Sequence, residues 1–160
     1  MKTILTTFIL FLTTNVFCQR HVVGKYYHNF GHVLFLKNDG SYEFKTSFDL
    51  SSSWSNGTWS LKKDTVFLIN TPIFDTLKAG QDRDTLVLSS NSKSERIDSM
   101  SYIATVLSGG GQNRTSHPLK LLVKKNALLV VGTDGKVVTK DLYDPMRQKY
   151  ISTKFYKSKD

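Results

Sequence analysis

Hydrophobic and polar positions alternate in the middle of the chain, between residues 39 and 70. In the first segment Tyr42, Phe44 and Phe48 occupy even positions, and the odd positions between them are polar. This period of two is typical of a β-strand with one buried and one solvated face. Asp39-Gly40 and the Lys-Lys-Asp corner at 62–64 supply turns between such segments. The pattern predicts an antiparallel meander with an aromatic core.

The segments that flank this meander are also predicted as strands. Residues 21–28 and 32–37 are expected to pair around Asn29-Phe30-Gly31, with Gly31 in the left-handed conformation. Gly57 has two interpretations, because it can form a tight turn between two strands or a bulge within one long strand. We favour the bulge, since residues 54–61 then form one bent strand that ends at the Lys-Lys-Asp corner and suits a closing barrel.

The later part of the chain is predicted as further strands joined by polar loops. These predicted strands cover 65–70, 85–89, 119–124, 128–131, 136–140 and 148–157. In the last of them, the odd positions from Ile151 to Phe155 would point inward. Residues 100–107 fit either a strand or a helix, and a strand is our interpretation. The polar stretch 75–84 and the glycine-rich stretch 108–114 are predicted loops.

The spacing of the turn signals indicates the fold class. They recur about every 8 to 12 residues, as they do in β-barrels and β-sandwiches. The prediction is an all-β fold, an antiparallel up-and-down barrel or strongly curved meander sheet of about eight to ten strands. An open two-layer sandwich is the alternative. Residues 19–160 are expected to form this single domain, because a chain of that length can bury a sufficient core.

Residues 1–18 are predicted to be a secretory signal peptide. Residues 4–17 are apolar and rich in threonine, but too few for a membrane span of about 20 apolar residues. Cleavage before Gln19 would release a chain without a cysteine or a transmembrane segment to the periplasm or the medium. A lipid anchor on Cys18 is the alternative, which the bulky Phe17 before it disfavours.

The charge balance is basic, with 22 Lys and Arg against 13 Asp and Glu and a formal net charge of +9. Most of the excess lies after residue 118. The lysines assigned to this basic surface are Lys120, Lys124, Lys125, Lys136, Lys140, Lys154 and Lys157. Such an excess favours an anionic envelope polymer or lipid as partner, and nucleic acid is not expected for an exported chain. An ordinary solvated face is the alternative interpretation.

Candidate catalytic and metal-binding residues are few. The sequence has no nucleophile elbow, no complete phosphate-binding motif and no clear pair of carboxylates, so neither enzymatic activity nor a cofactor is predicted. His28 and His32 would face each other across their hairpin. Zinc normally takes three or more protein ligands, and the sequence does not place His21 or His117 nearby. The two histidines are therefore a candidate pair rather than a predicted metal site.

Four short segments together resemble one protein family. They are Gly24-Lys25-Tyr26, the turn and aromatic strand at 36–44, Gly57-Thr58-Trp59 and Asp64-Thr65-Val66-Phe67-Leu68. This arrangement is similar to that of the small exported lipocalin-like β-barrel proteins of bacteria. The resemblance implies a barrel that includes roughly residues 22–70 and supplies no catalytic residue.

The predicted function is that of a non-enzymatic exported binding module. An apolar or amphipathic small molecule would lie in the mouth of the barrel. Its predicted lining is drawn from Tyr26, Phe35, Tyr42, Phe44, Trp54 and Trp59. A barrel of about eight strands has room for one small ligand or for side chains alone. The alternative function is an envelope or surface interaction protein that uses the basic surface against anionic glycan or lipid. An enzyme is the third and least favoured hypothesis.

Overall fold

The computed structural model describes residues 21–48, 51–78, 83–108, 110–113, 117–146 and 148–159. In chain order, its first strands are β1 (Gly24–His28), β2 (His32–Leu36), β3 (Ser41–Phe48), β4 (Ser51–Lys62) and β5 (Thr65–Asn70). The next elements are β6 (Phe74–Leu77), β7 (Thr85–Leu88), β8 (Arg96–Ile97), helix α1 (Ser99–Ser108) and β9 (Gly111–Gln112). The last are β10 (Lys120–Lys124), β11 (Ala127–Val130), β12 (Leu142–Asp144), β13 (Lys149–Ile151) and β14 (Lys154–Lys157). The predicted signal peptide, with Cys18 and Gln19, lies outside the described residues.

Eight of these strands close into an antiparallel barrel. Their order around the barrel is β3, β2, β1, β14, β11, β10, β5 and β4, and pairing of β3 with β4 closes the ring. Each barrel strand therefore lies beside the barrel strands that precede and follow it along the chain. The predicted all-β up-and-down barrel is confirmed, and the two-layer sandwich is excluded.

Two insertions interrupt this up-and-down order. The first insertion, residues 71–119, joins β5 to β10 and contains a small sheet of β6, β7 and β8, helix α1, and β9, which pairs in parallel with β4. The second insertion, residues 131–153, joins β11 to β14 and contains the β12–β13 hairpin. Within the described ranges, no helix has both the length and the hydrophobicity needed to cross a membrane.

The core fills the barrel with alternate side chains of its strands. The buried side chains of this cluster are Val22, Tyr26, Leu34, Leu36, Tyr42, Phe44, Trp59, Val66, Leu68, Leu121, Leu128 and Phe155. The Tyr26 hydroxyl donates to the carbonyl of Val22 at 2.7 Å, and burial raises the pKa of Tyr26 to about 12. Ile151, Thr153 and Phe155 are all buried, as their alternation predicts. The expectation of an aromatic core is confirmed.

Gly57 lies inside one long strand, but it does not form a bulge. The register of β4 with β3 and with β5 runs through this residue without an extra position on either strand. A Cβ atom on Gly57 would lie 2.0 Å from the carbonyl oxygen of Ile69. The single strand is therefore confirmed and the predicted bulge is wrong. Gly57 is needed here because only a residue without a side chain allows the backbones of β4 and β5 to approach this closely.

Residues 100–107 form most of helix α1, so the predicted strand is wrong here. The helix is favoured at its amino end by Asp98, whose carboxylate accepts a hydrogen bond from the backbone of Ser101 at 2.8 Å. None of the described residues of α1 is buried, and Met100 and Leu107 are 77% and 81% exposed. A helix that buries no side chain leaves no strong periodic signal in the sequence.

Four further segments differ from the prediction, and one of them is the predicted loop 108–114, which contains strand β9 (Gly111–Gln112). Residues 136–140 form no strand. An isolated bridge between Val131 and Val137 and a hydrogen bond from the Val138 N–H to the carbonyl of Val130 at 2.8 Å link this segment to the end of β11. The predicted strand 148–157 is broken into β13 and β14, each of which pairs with a different neighbour. The predicted loop 75–84 is partly strand, because β6 already begins at Phe74.

Candidate functional site

The turn between β1 and β2 places two histidines together at one end of the barrel. Gly31 adopts a φ of 76°, and its backbone N–H donates to the carbonyl of His28 at 3.1 Å. A Cβ on Gly31 would lie 2.2 Å from the carbonyl oxygen of Ser47, so the tight turn needs glycine. His28 and His32 pair across this hairpin with their ring centroids 5.1 Å apart. The predicted left-handed glycine and the predicted facing histidines are confirmed.

The two histidines belong to a row of four rings, which we call the ring row: His28, His32, Phe44 and His117. Phe44 stacks between two imidazoles, with centroids 5.6 Å from His32 and 4.9 Å from His117 and interplanar angles of 24° and 21°. At the other side His28 lies 4.8 Å from the ring of Phe155. The ring row thus joins the barrel core to its histidine end.

The imidazole of His28 forms hydrogen bonds within the protein. Its Nδ1 accepts a hydrogen bond from the backbone of Phe30 at 3.2 Å, and the ring also bonds to the backbone of Thr153. Burial is the largest cause that lowers the pKa of His28, and repulsion from His32 adds to it. Together they lower this pKa to about 4, although the hydrogen bond to Thr153 acts in the opposite direction. His32 Nδ1 lies 3.1 Å from Thr46 Oγ1, and burial lowers the pKa of His32. Both rings are neutral at neutral pH.

His117, in the segment before β10, enters the ring row from the first insertion. Its Nε2 lies 3.0 Å from the hydroxyl oxygen of Tyr42, which in turn donates to Asn70 Oδ1 at 2.5 Å. Burial raises the pKa of Tyr42 to about 12 and lowers the pKa of His117. His117 Nδ1 is buried and has no hydrogen-bond partner among the described residues.

Two pockets adjoin the ring row. The outer pocket has a volume of about 440 Å³ and is lined by His28, Phe30, His32, Thr46, Val130, Val138, Leu142 and Thr153. The inner pocket has a volume of about 260 Å³ and is lined by His28, His32, Phe44, Thr46, Ser53, Asn113, His117, Pro118, Val130 and Phe155. They share the side chains of His28, His32, Thr46 and Val130. The outer pocket reaches the surface at Leu142, which is 53% exposed.

This end of the barrel combines an apolar wall with uncharged hydrogen-bonding groups. No protein-family model, curated protein or solved structure matches the chain. The functional assignment therefore rests on the chemistry of the two pockets. Their described lining contains no Asp, Glu, Lys or Arg. Such a lining suits a neutral ligand, because an ion would lose its hydration without gaining a counter-charge.

The candidate pair of histidines does not extend to a metal centre. Within the described residues, no group of three or more His, Cys, Asp or Glu is placed to hold a metal ion. His117 is part of the same ring row, but its Nε2 is engaged by Tyr42 and His28 Nδ1 by the backbone of Phe30. These hydrogen bonds occupy ring nitrogens that a metal ion would otherwise use.

The aromatic residues predicted to line a ligand site divide into three groups. Phe44 lines the inner pocket, and the hydroxyl of Tyr42 is hydrogen-bonded to His117, which stacks on Phe44. Tyr26 and Trp59 are buried in the barrel core. The Trp59 indole N–H donates to the carbonyl of Lys37 at 2.9 Å. The core aromatics support the pocket without forming its wall.

Phe35 and Trp54 are corrections to the predicted lining, because both lie on the outer face of the barrel. Phe35 is 38% exposed and lies beneath the ammonium group of Lys37, which is 5.8 Å from its ring centroid. Trp54 pairs with the exposed Lys45 and donates from its indole to the carbonyl of Ser90 in the first insertion at 3.2 Å. Strand HVLFLK is apolar at nearly every position, so alternation alone does not define its inner face.

The predicted basic surface is divided by the fold. Its exposed members are Lys120, Lys124, Lys125, Lys136 and Lys140. Lys154 is half-buried on β14. Lys157 lies beside the turn that carries Lys124 and Lys125, since its backbone N–H donates to the carbonyl of Asn126 at 2.9 Å. Its ammonium group donates to the carbonyl of His21 at 2.8 Å and lies 6.0 Å from the ring of Tyr26.

Several residues of the pockets were not predicted as site residues from the sequence. Thr46 continues the alternation of β3, which indicates an inward side chain. Val130 lies in a run that is apolar at every position, so alternation does not indicate its face. Val138 and Leu142 belong to the second insertion, and no pattern in that segment indicates contact with the barrel mouth. His117 is a candidate from the sequence only as a third metal ligand, since a histidine followed by proline gives no local clue to its partner.

Proposed function

We propose that this protein is a non-enzymatic binding module, exported as its first residues predict, which takes a small neutral ligand in the outer and inner pockets. One observation carries the proposal: the histidine end of the barrel has a pocket of about 440 Å³ with a mainly apolar wall. Ligand sites in proteins commonly occupy about 300–1,000 Å³ and often lie in the mouths of β-barrels.

The lining supports a mainly apolar ligand with a few polar groups. Phe30, Val130, Val138 and Leu142 supply the apolar wall of the outer pocket. The neutral imidazoles and the hydroxyl of Thr46 supply hydrogen-bonding groups at fixed positions. This division between apolar contact area and a few oriented polar groups is the usual basis of affinity and specificity in small-molecule sites.

The test uses N-phenyl-1-naphthylamine, a neutral apolar dye whose fluorescence increases in an apolar site, with the protein expressed as residues 19–160. Wild type is expected to bind the dye with a saturable signal. Leu142→Asp should weaken binding at least about tenfold, because a carboxylate in the pocket wall opposes an apolar ligand. Met146→Asp is the matched control, since Met146 lies in the same hairpin, is 88% exposed and lines neither pocket.

Equal affinities of wild type and Leu142→Asp for the dye would overturn the proposal, provided that both proteins have the same melting temperature. Native mass spectrometry of the protein purified from its own envelope offers an independent check. A co-purifying species that is lost on denaturation supports the binding function and gives the mass of the ligand.

A further inference from the structure

A row of outward-facing side chains crosses the side of the barrel that β1 and β14 form. Its members lie directly opposite one another in five successive strand pairings, from β3 through β2, β1, β14 and β11 to β10. Residues that are directly opposite on paired strands have their side chains on the same face of the sheet. That face is the outer one, because the neighbours in sequence are core residues such as Tyr26 and Phe155. We call it the outer row, and it consists of Lys45, Val33, Tyr27, Tyr156, Ala127 and Lys124.

Two adjacent tyrosines form the middle of the outer row. Tyr27 and Tyr156 are directly opposite each other on β1 and β14, and they are 41% and 45% exposed. The next residue on each side is smaller and apolar, Val33 beside Tyr27 and Ala127 beside Tyr156. The hydroxyl of Tyr156 donates to Ser152 Oγ at 3.1 Å, which holds this ring in place. The two tyrosines therefore present apolar ring surface to a partner.

Lysines lie at both ends of the outer row. Lys45 and Lys124 are exposed, and each is two strands away from the nearest tyrosine, a distance of about 10 Å at the usual strand spacing. A third lysine adjoins the tyrosines, since Lys25 Nζ lies 5.2 Å from the centroid of the Tyr27 ring. Glu43 shares the outer face of β3, but its carboxylate is divided between Lys45 at 3.6 Å and a second lysine at 2.6 Å. The charge around the tyrosines is therefore positive, which favours an anionic partner.

Exposed tyrosines continue from the outer row onto the β12–β13 hairpin. Ser152, which accepts the hydrogen bond from Tyr156, lies two residues after Tyr150 in the chain. Tyr150 and Tyr143 are opposite each other in the hairpin with ring centroids 5.4 Å apart, and they are 69% and 54% exposed. The exposed aromatic surface is therefore elongated. Such a surface suits a chain of linked rings better than a single small molecule.

We propose that the outer row binds an anionic polysaccharide, whose sugar rings stack on Tyr27 and Tyr156 and whose carboxylates meet Lys45 and Lys124. A sugar ring has an apolar face of C–H groups and a polar rim, which matches a pair of tyrosine rings with cations at a distance. The site is independent of the proposed binding of a small neutral ligand, because none of the six residues of the outer row lines either pocket.

Two other anionic partners fit the outer row less well. A lipid surface is disfavoured because rings that are half packed against the barrel wall do not reach the acyl region. A single-stranded nucleic acid also offers stacking faces and negative charges. Export, as the first residues predict, would separate the protein from it.

Oligogalacturonate, a linear chain of uronate rings, is the probe for this site. Isothermal titration calorimetry at low salt should show that wild type, expressed as residues 19–160, binds it. Tyr27→Ala together with Tyr156→Ala should weaken binding about tenfold or more, because two stacking rings are lost. Lys45→Gln together with Lys124→Gln should weaken binding and also reduce its dependence on salt concentration.

Phe67 and Lys62 supply the matched control variants. Lys62 Nζ lies 5.9 Å from the Phe67 ring centroid, and the two residues belong to β4 and β5, which lie across the barrel from β14 and β1 in the strand order. Phe67→Ala and Lys62→Gln should leave the affinity for oligogalacturonate unchanged. Losses equal to those of the outer-row variants would overturn the assignment, because any aromatic residue or lysine on the barrel wall would then suffice.

Further probes separate stacking from charge. Polyglutamate carries carboxylates without rings, so wild type should bind it more weakly than oligogalacturonate, and the tyrosine variant should bind it like wild type. In wild type labelled with ¹⁵N, oligogalacturonate should shift the amide resonances of Tyr27 and Tyr156, a readout that requires no variant to fold. Equal affinity for both polymers without these shifts would overturn the proposal. Tighter binding to oligothymidylate or to phosphatidylglycerol vesicles would also overturn it, and dye binding in the pockets would be unaffected by either outcome.

Discussion

The rings of Phe44 and His117 are stacked, with their centroids 4.9 Å apart and an angle of 21° between their planes. Phe44 comes from the middle of β3, and His117 comes from the end of the first insertion. Their contact therefore brings the far end of that insertion to the mouth of the barrel. It also gives the pocket a wall that is fixed by the core.

Phe44→Ala is expected to lower the free energy of unfolding by about 3–5 kcal/mol, because it removes a buried ring and leaves a cavity in the ring row. Phe35→Ala makes the same chemical change on the outer face of the neighbouring strand, where it should cost only about 0.5 kcal/mol. Urea denaturation of both variants measures the difference. Similar losses for the two would contradict the assignment of Phe35 to the outer face.

Stability should fall as the pH is lowered from 7 to 5. The unfolded chain takes up protons on its histidines near pH 6.5, whereas burial keeps the pKa of His28 at about 4 and lowers those of His32 and His117 in the folded state. The unfolded state thus binds more protons in this window, and we expect a loss of about 1–3 kcal/mol after allowing for partial exposure of the rings. Urea denaturation at pH 7, 6 and 5 measures it.

Glu43 and Asp39 should contribute little to this pH effect. Hydrogen bonds from Lys37 and from Ser41 lower the pKa values of Glu43 and Asp39 in the folded state, so the stability that these two carboxylates add is lost mainly when the unfolded chain takes up protons, near pH 4. His32→Gln should reduce the slope between pH 7 and 5, because it removes one of the buried imidazoles. A flat stability profile for wild type over this interval would contradict the assigned burial of the imidazoles.

Gly57→Ala should be among the most harmful single substitutions in β4. The new Cβ would lie 2.0 Å from the carbonyl oxygen of Ile69, and a backbone atom cannot move aside without breaking the pairing of β4 with β5. We expect a loss of more than about 2 kcal/mol. Gly110→Ala is the control, because its Cβ would meet its nearest neighbour at 3.4 Å, which should change stability by less than about 0.5 kcal/mol. Equal melting temperatures for the two variants would contradict the close approach of the two backbones at Gly57.

Much of the barrel could be predicted from local signals. Asp39-Gly40, Gly31 and the Lys-Lys-Asp corner define three turns, and alternation between them defines the strands that they join. The pairing of His28 with His32 was predictable for the same reason. The inner face of β2 was not predictable, because the residues on both faces of this strand are apolar. Only packing against the rest of the barrel decides whether Leu34 or Phe35 points inward.

The pocket was less predictable than the barrel, since its walls come from segments distant along the chain. His117 lies beside Tyr42 only when the first insertion has folded and β10 has paired with β5. Val138 lies in a segment that was predicted as a strand and that forms none. Contacts of this kind depend on tertiary packing and leave no period in the sequence.

The second insertion gives the fold a modular character. It begins and ends at β11 and β14, which are already hydrogen-bonded to each other, so its length and sequence can change without altering any strand pairing of the barrel. The same insertion supplies Val138 and Leu142 to the outer pocket. Under the proposed binding function, a change in this segment would therefore alter ligand preference and leave the framework unchanged, in the way that variable loops diversify a scaffold.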